Sequence, residues 1–201
     1  VQPTVLIGTS TVAGAFSRSV VEAMAAGCER PVILPLSNPT NLAEANPADL
    51  LTWTEGRALV ASGSPFAPVH TATGLRTIGQ CNNCFLFPGL GYAAVAVGLV
   101  CINNAMIDAG LRALAAHIPA SGNPEASLMP PLDQAAAVAG AVAEAVALVG
   151  VEQGLARLAT TAEQARQRLA ESHWRPEYQP LLPDVLSLTE PALRTPQPAQ
   201  R

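Results

Sequence analysis

Three short apolar runs, each closing on a loop of small polar residues, constrain the fold of this chain more than anything else in it. Residues 4 to 8 (Thr-Val-Leu-Ile-Gly) lead into Thr9, Ser10 and Thr11, and residues 31 to 36 into Ser37-Asn38-Pro39-Thr40. Residues 58 to 61 lead into Ser62-Gly63-Ser64-Pro65. Runs this short, rich in Val, Leu and Ile and bounded by turn formers, read as buried strands. Between the first two, residues 17 to 26 carry Val20, Val21 and Met24 at helical spacing, with Gly27 as a stop. Between the second and third, residues 47 to 54 predict a short helix with Asn46 as its cap and Pro47 in its first turn. Strands alternating with helices predict an α/β fold with a parallel sheet built from right-handed crossovers. In such sheets ligands lie beyond the carboxyl ends of the strands, so the three polar loops form the expected site.

Downstream, residues 66 to 83 read as an extended excursion turning at Gly74 and Gly79 and closing on Gln80-Cys81-Asn82-Asn83. Residues 85 to 102 contain no charge and are long enough for a membrane span. Pro88, Gly89, Gly91 and Gly98 interrupt that run and no basic cluster flanks it, which favours a helix buried in a protein core. Further helices are expected over 103 to 116 and over 132 to 149, the latter with a packing stripe of Val138, Val142, Val146 and Val149. From about Ala156 an Arg/Glu/Gln-rich helix is followed by a tail whose Pro191, Pro196 and Pro198 predict disorder. The expected division is a sheet-bearing unit over 1–150 and a helical, Pro-rich tail over 151–201.

Composition excludes several classes of function. With 49% hydrophobic and 13% charged residues the chain is globular, and its 201 residues suffice for a real core. The net charge of -4 and the lack of a basic run argue against nucleic acid or anionic lipid as partner. All eleven basic residues are Arg, so no lysine amine is available for chemistry. Cys81 and Cys84 form a C-x-x-C, but with no second such pair they fall short of a structural zinc site, and Asn82 and Asn83 between them suit polar recognition better than redox exchange. His70, His117 and His173 stand singly and are assigned no catalytic role; His117 ends a helix, where its charge would suit the dipole. The chain opens at Val1 directly into its first strand, so it reads as a fragment; cytoplasm is the expected compartment.

Four loop motifs now stand in order: Ile7-Gly8-Thr9-Ser10, Leu36-Ser37-Asn38-Pro39-Thr40, Ala61-Ser62-Gly63-Ser64-Pro65-Phe66, and Gly79-Gln80-Cys81-Asn82-Asn83 with Phe87-Pro88-Gly89. In that order and spacing they resemble malic enzymes. The stretches His173-Trp174-Arg175-Pro176-Glu177-Tyr178 and Leu181-Leu182-Pro183-Asp184-Val185 are similar to the end of that family. The resemblance implies an incomplete Rossmann-like parallel sheet with flanking helices and a carboxy-terminal helical extension. It also implies oxidation of malate by NAD or NADP, and loss of carbon dioxide to give pyruvate with a divalent metal, Mg or Mn. By the same resemblance Gly8, Thr9, Ser10 and Asn38 contact the cofactor, Asn38, Asn82 and Asn83 contact the substrate, and the complete enzyme is a homo-oligomer. An amide suits such contacts because it donates to a carboxylate without adding a counter-charge. One departure is Thr11, where the family often places another Gly.

The family's general base is a Lys, its general acid a Tyr, and its metal is held by a Glu-Asp pair and a further Asp. None of these matches a residue here: Tyr92 and Tyr178 fall outside the motif, and G-x-G-x-x-G is also lacking. The segment is therefore expected to supply cofactor and substrate contacts, with no catalytic residue or metal ligand of its own, and to be inactive alone. The alternatives are a segment of malolactic enzyme, or a noncatalytic module for helix packing or subunit contact.

Overall fold

A computed structural model describes residues 1–123, 125–173 and 178. The amino-terminal part runs β1 (Val5–Gly8), α1 (Arg18–Gly27), β2 (Val32–Pro35), α2 (Pro47–Trp53) and β3 (Leu59–Ser62). A hairpin of β4 (Val69–Thr71) and β5 (Gly74–Arg76) then precedes β6 (Gly79–Gln80). The four main strands are parallel and lie in the order β1-β2-β3-β6. Gly8 pairs with Pro35 and Ser62 with Gln80, so the strands end along one common edge.

Both crossover helices cover the same face of this sheet. Leu6, Ile33 and Val60 meet Val21 and Met24 of α1 and Leu50 and Leu51 of α2 in one apolar cluster. Side chains alternate across a strand, so Val5 and Ile7 belong to the opposite face, where they are 48% and 58% exposed. Asn46 caps α2, its side chain accepting from the Ala48 N–H at 2.9 Å, and Pro47 fills the first position, where a missing N–H costs nothing.

Four α-helices follow among the described residues: α3 (Phe87–Val97), α4 (Asn104–Ala115), α5 (Ala135–Glu152) and α6 (Ala162–Glu171). Three helices pack on α5, whose Val138, Val142 and Val146 are fully buried beside Phe85, Val97 and Met106. The valine stripe is thus core. By length and composition, residues 132–152 are the one described segment apolar enough to cross a membrane; in the fold they form the central rod of this cluster. Tyr92 of α3 donates its hydroxyl to the Leu169 carbonyl, fastening α6 to the bundle.

The structure corrects three expectations. Residues 85 to 102 are not one helix: a 3-10 turn at Asn83–Phe85 precedes α3, and α3 stops after eleven residues because Gly98 turns left-handed at φ 63. Gly79 is not a turn but the first residue of β6, a strand too short to leave a periodic signal. Gly27 is the last residue of α1, and Cys28 is its cap. The expected Pro-rich tail, with Pro191, Pro196 and Pro198, lies outside the described residues. So do the motif stretches 174–177 and 181–185.

Candidate functional site at the carboxyl edge of the sheet

Because the strands end in register, the loops after β1, β2, β3 and β6 lie side by side, and hydrogen bonds join each to the next. Between the first and second the link is Glu44, a carboxylate with no exposed surface, set between Ala43 and Ala45 ahead of α2. One of its oxygens accepts from the Ser10 N–H at 2.7 Å, from the Ser10 hydroxyl at 2.9 Å and from the Ser37 hydroxyl. Its other oxygen accepts from the Ser37 N–H at 3.3 Å. Burial acts to raise the pKa of this group, but the bonds from Ser37 and Ser10 outweigh it and hold the carboxyl at about 2. Glu44 is therefore ionised throughout the ordinary pH range.

Glu44 also explains the glycine ending β1. A Cβ on Gly8 would stand 2.6 Å from the Glu44 carboxyl carbon and 2.7 Å from the Phe16 ring, so no side chain fits beside this buried acid. Thr9 and Ser10 follow at exposed positions. Thr11 sits at φ 56, a conformation that strains a β-branched residue. It is held there by its own N–H, which donates to the Ser37 hydroxyl at 2.8 Å, and by its hydroxyl, which donates to the Ser10 carbonyl at 2.7 Å.

Between the second and third loops the Ser64 hydroxyl donates to the Asn38 side-chain oxygen, and Ser62 donates to the Ser64 carbonyl at 2.8 Å. Between the third and fourth, Gln80 donates to the Gly63 carbonyl at 3.2 Å and the Cys81 N–H to the Ser62 carbonyl at 2.8 Å. Asn82 accepts from the Cys84 N–H at 3.0 Å. Asn38 and Asn82 therefore use their oxygens within the fold and keep their NH2 groups, both donors, on exposed residues. Asn83, next in the chain, is also exposed. The structure brings Gly8, Thr9, Ser10 and Asn38 onto two adjoining loops and sets Asn82 and Asn83 on the same edge beyond the β3 loop.

Of the other candidates, Cys81 is a free thiol that burial pushes up in pKa, the reverse of what an attacking redox thiol needs. Among the described residues no three His, Cys, Asp or Glu side chains come together to hold a metal ion. His117 approaches the Ala113 carbonyl through Nδ1 at 2.8 Å, closing the end of α4, and His173 lies against the Tyr92 ring. A cleft of about 620 Å³ lies at the opposite end of the strands, lined by Arg30, Arg57 and His70 among others. A second, about 530 Å³, opens beside the polar loops between Phe16, Thr40, Trp53 and Phe66. Glu44 is the organising residue that sequence reasoning missed. Its signal was an acidic side chain between two alanines in a chain with only 13% charged residues.

Residues 1–151 match the family model described as the NAD binding domain of malic enzyme. The chain is 46% identical over 177 residues to an NAD-dependent malic enzyme of Shewanella piezotolerans, covering 88% of this chain and 31% of that protein. It is 43% identical over 177 residues to one from Aliivibrio salmonicida, with the same coverage. The chain spans about a third of the length of these relatives. Crystal structures of malic enzymes from Pyrococcus horikoshii and Entamoeba histolytica share the fold. Each has a TM-score of 0.63 and 24% identity; the matches cover 85% and 98% of this chain and 35% and 36% of theirs. With an ordered parallel sheet, its linked polar loops and a family match that takes in both, the chain belongs to the malic enzyme family through the NAD-binding domain.

Proposed function

We propose that this chain is the part of a malic enzyme that shapes one side of the dinucleotide and substrate site, in a protein that oxidises malate with NAD and releases carbon dioxide to leave pyruvate. The observation that carries the reading is the match of residues 1–151, which include all four linked loops, to the malic enzyme NAD binding domain, together with 46% identity to an NAD-dependent malic enzyme over 177 residues. NAD is preferred over NADP because those relatives are named for it. When bound, the cofactor takes the hydride. The chain's own share is orientation: Thr9 and Ser10 offer backbone and hydroxyl groups beside the cofactor, and Asn38, Asn82 and Asn83 offer amide donors to the malate carboxylates. Such contacts raise the rate by fixing geometry. The divalent metal, Mg or Mn, the base and the acid are assigned to other parts of the protein, because the motifs that carry them in the family match no residue of this segment. A homo-oligomer is part of the same reading.

The test uses the full-length protein with malate, NAD and Mg, following NADH by absorbance and analysing the organic acid formed. The expected result is pyruvate with an equal amount of NADH. Lactate without NADH would assign the chain to a malolactic enzyme, and no turnover of malate would reject the reading.

A further inference from the structure

The strongest unassigned group in the molecule is the Glu44 carboxylate, and its bonds run toward the site. It is the only described residue that touches both the loop after β1 and the loop after β2 with one charged group, through Ser10 on one side and Ser37 on the other. Ser37 in turn receives the Thr11 N–H, so the strained Ser10-Thr11 corner is held from two directions by one acid and one hydroxyl. Asn38 follows Ser37 directly and is braced on its far side by Ser64. Loosening Glu44 therefore removes the charged tie between the two loops and leaves the neutral Thr11–Ser37 bond, while the strands below them keep their ladder. A buried carboxylate taking four hydrogen bonds is a rigid anchor, because bonds to a charged acceptor are stronger than neutral ones.

We propose that Glu44 is a positioning residue of this site: it locks the Ser10-Thr11 corner and the Ser37-Asn38 turn in mutual register, and so sets the geometry in which cofactor and substrate are held. This rests on the reading that those loops line a dinucleotide and substrate site. Glu44 itself touches neither ligand in this account. It acts through Ser10 and Ser37.

The test compares Glu44→Gln and Ser37→Ala, singly and together, in the full-length enzyme. Gln keeps the shape but replaces one acceptor oxygen by a donor facing the Ser37 N–H, and Ala removes only a hydroxyl. Each single variant is expected to raise the KM for NAD about tenfold and to lower kcat, with the double variant no worse than the poorer single one, because both break the one hydrogen-bonded cluster of Glu44, Ser37, Ser10 and Thr11. Amide exchange over residues 9–12 and 36–39 should quicken together in each, with the protection of α5 unchanged. Kinetic constants within twofold of wild type in a folded Ser37→Ala enzyme would overturn the proposal, as would effects of the two substitutions that simply multiply. Should Glu44→Gln not fold, Glu44→Asp, which keeps the charge but shortens its reach to Ser10 and Ser37, takes its place with the same expected and overturning outcomes. If the wild-type protein does not turn over malate, the functional reading falls, and the exchange data still decide whether Glu44 couples the two loops.

Discussion

At the scale of single residues, the carboxyl edge combines a charge with no solvent around it and a backbone angle that its residue dislikes. Glu44 has its pKa lowered from 4.5 to about 2, so the stability it contributes is fully present above pH 4.5 and is lost as pH falls toward 2. The corresponding free energy is on the order of 3 kcal/mol. Urea unfolding between pH 5 and about 2.5 should show the wild type losing stability more steeply than Glu44→Gln, whose side chain does not titrate. Parallel curves for the two would show that the bonds from Ser10 and Ser37 do not discriminate between the charged and neutral acid. Thr11 gives an independent measurement. A β-branched residue at φ 56 costs roughly 1–2 kcal/mol, and glycine recovers most of it while losing some in the unfolded chain. Thr11→Gly is therefore expected to stabilise by about 0.5–1 kcal/mol, read as a higher urea midpoint. A lower midpoint would mean that the Thr11 hydroxyl bond to the Ser10 carbonyl outweighs the strain. The position was legible in advance as a departure from the resembling family, but its angle was not.

Among the elements, β1, β2 and β3 and the capped helices were readable because their signals are local, whereas β4, β5 and β6 were too short to show. Asn46 with Pro47, and Asn103 ahead of α4, cap helices as their types predict, with the Asn103 side chain accepting from the Met106 N–H at 3.2 Å. The apolar stretch after Phe85 was not readable in the same way. Apolar residues on every side of a helix carry no periodic direction, and only the left-handed Gly98 set the end of α3. Contact between α3 and α5 also depends on the lack of a side chain. A Cβ at Gly89 would stand 2.6 Å from Val142 Cβ and 2.8 Å from the Ala139 carbonyl oxygen, so the two helices must separate to admit one. Gly89→Ala is expected to destabilise by about 1–3 kcal/mol, seen as a Tm lowered by several degrees. An unchanged Tm would show that α3 shifts without loss of packing.

At the scale of the whole molecule, the described residues form two apolar clusters: one between the sheet and α1 and α2, the other around α5. The chain by itself determined the parallel strands, the alternation with helices and the placing of polar loops at strand ends, because those follow from runs, caps and turns within a few residues of one another. It also carried enough ordered motif to indicate the family. Only the tertiary structure decided that Glu44, 34 residues from Ser10 and seven from Ser37, is the acid binding their loops together. The same holds for the face of the sheet left open at Val5 and Ile7, and for the helix taken as the centre of the bundle. The physical reason is one of range. Local preference acts through neighbouring backbone and is written in sequence spacing, whereas a buried charge is tolerable only where donors from distant segments converge on it, and that convergence exists only once the chain has folded.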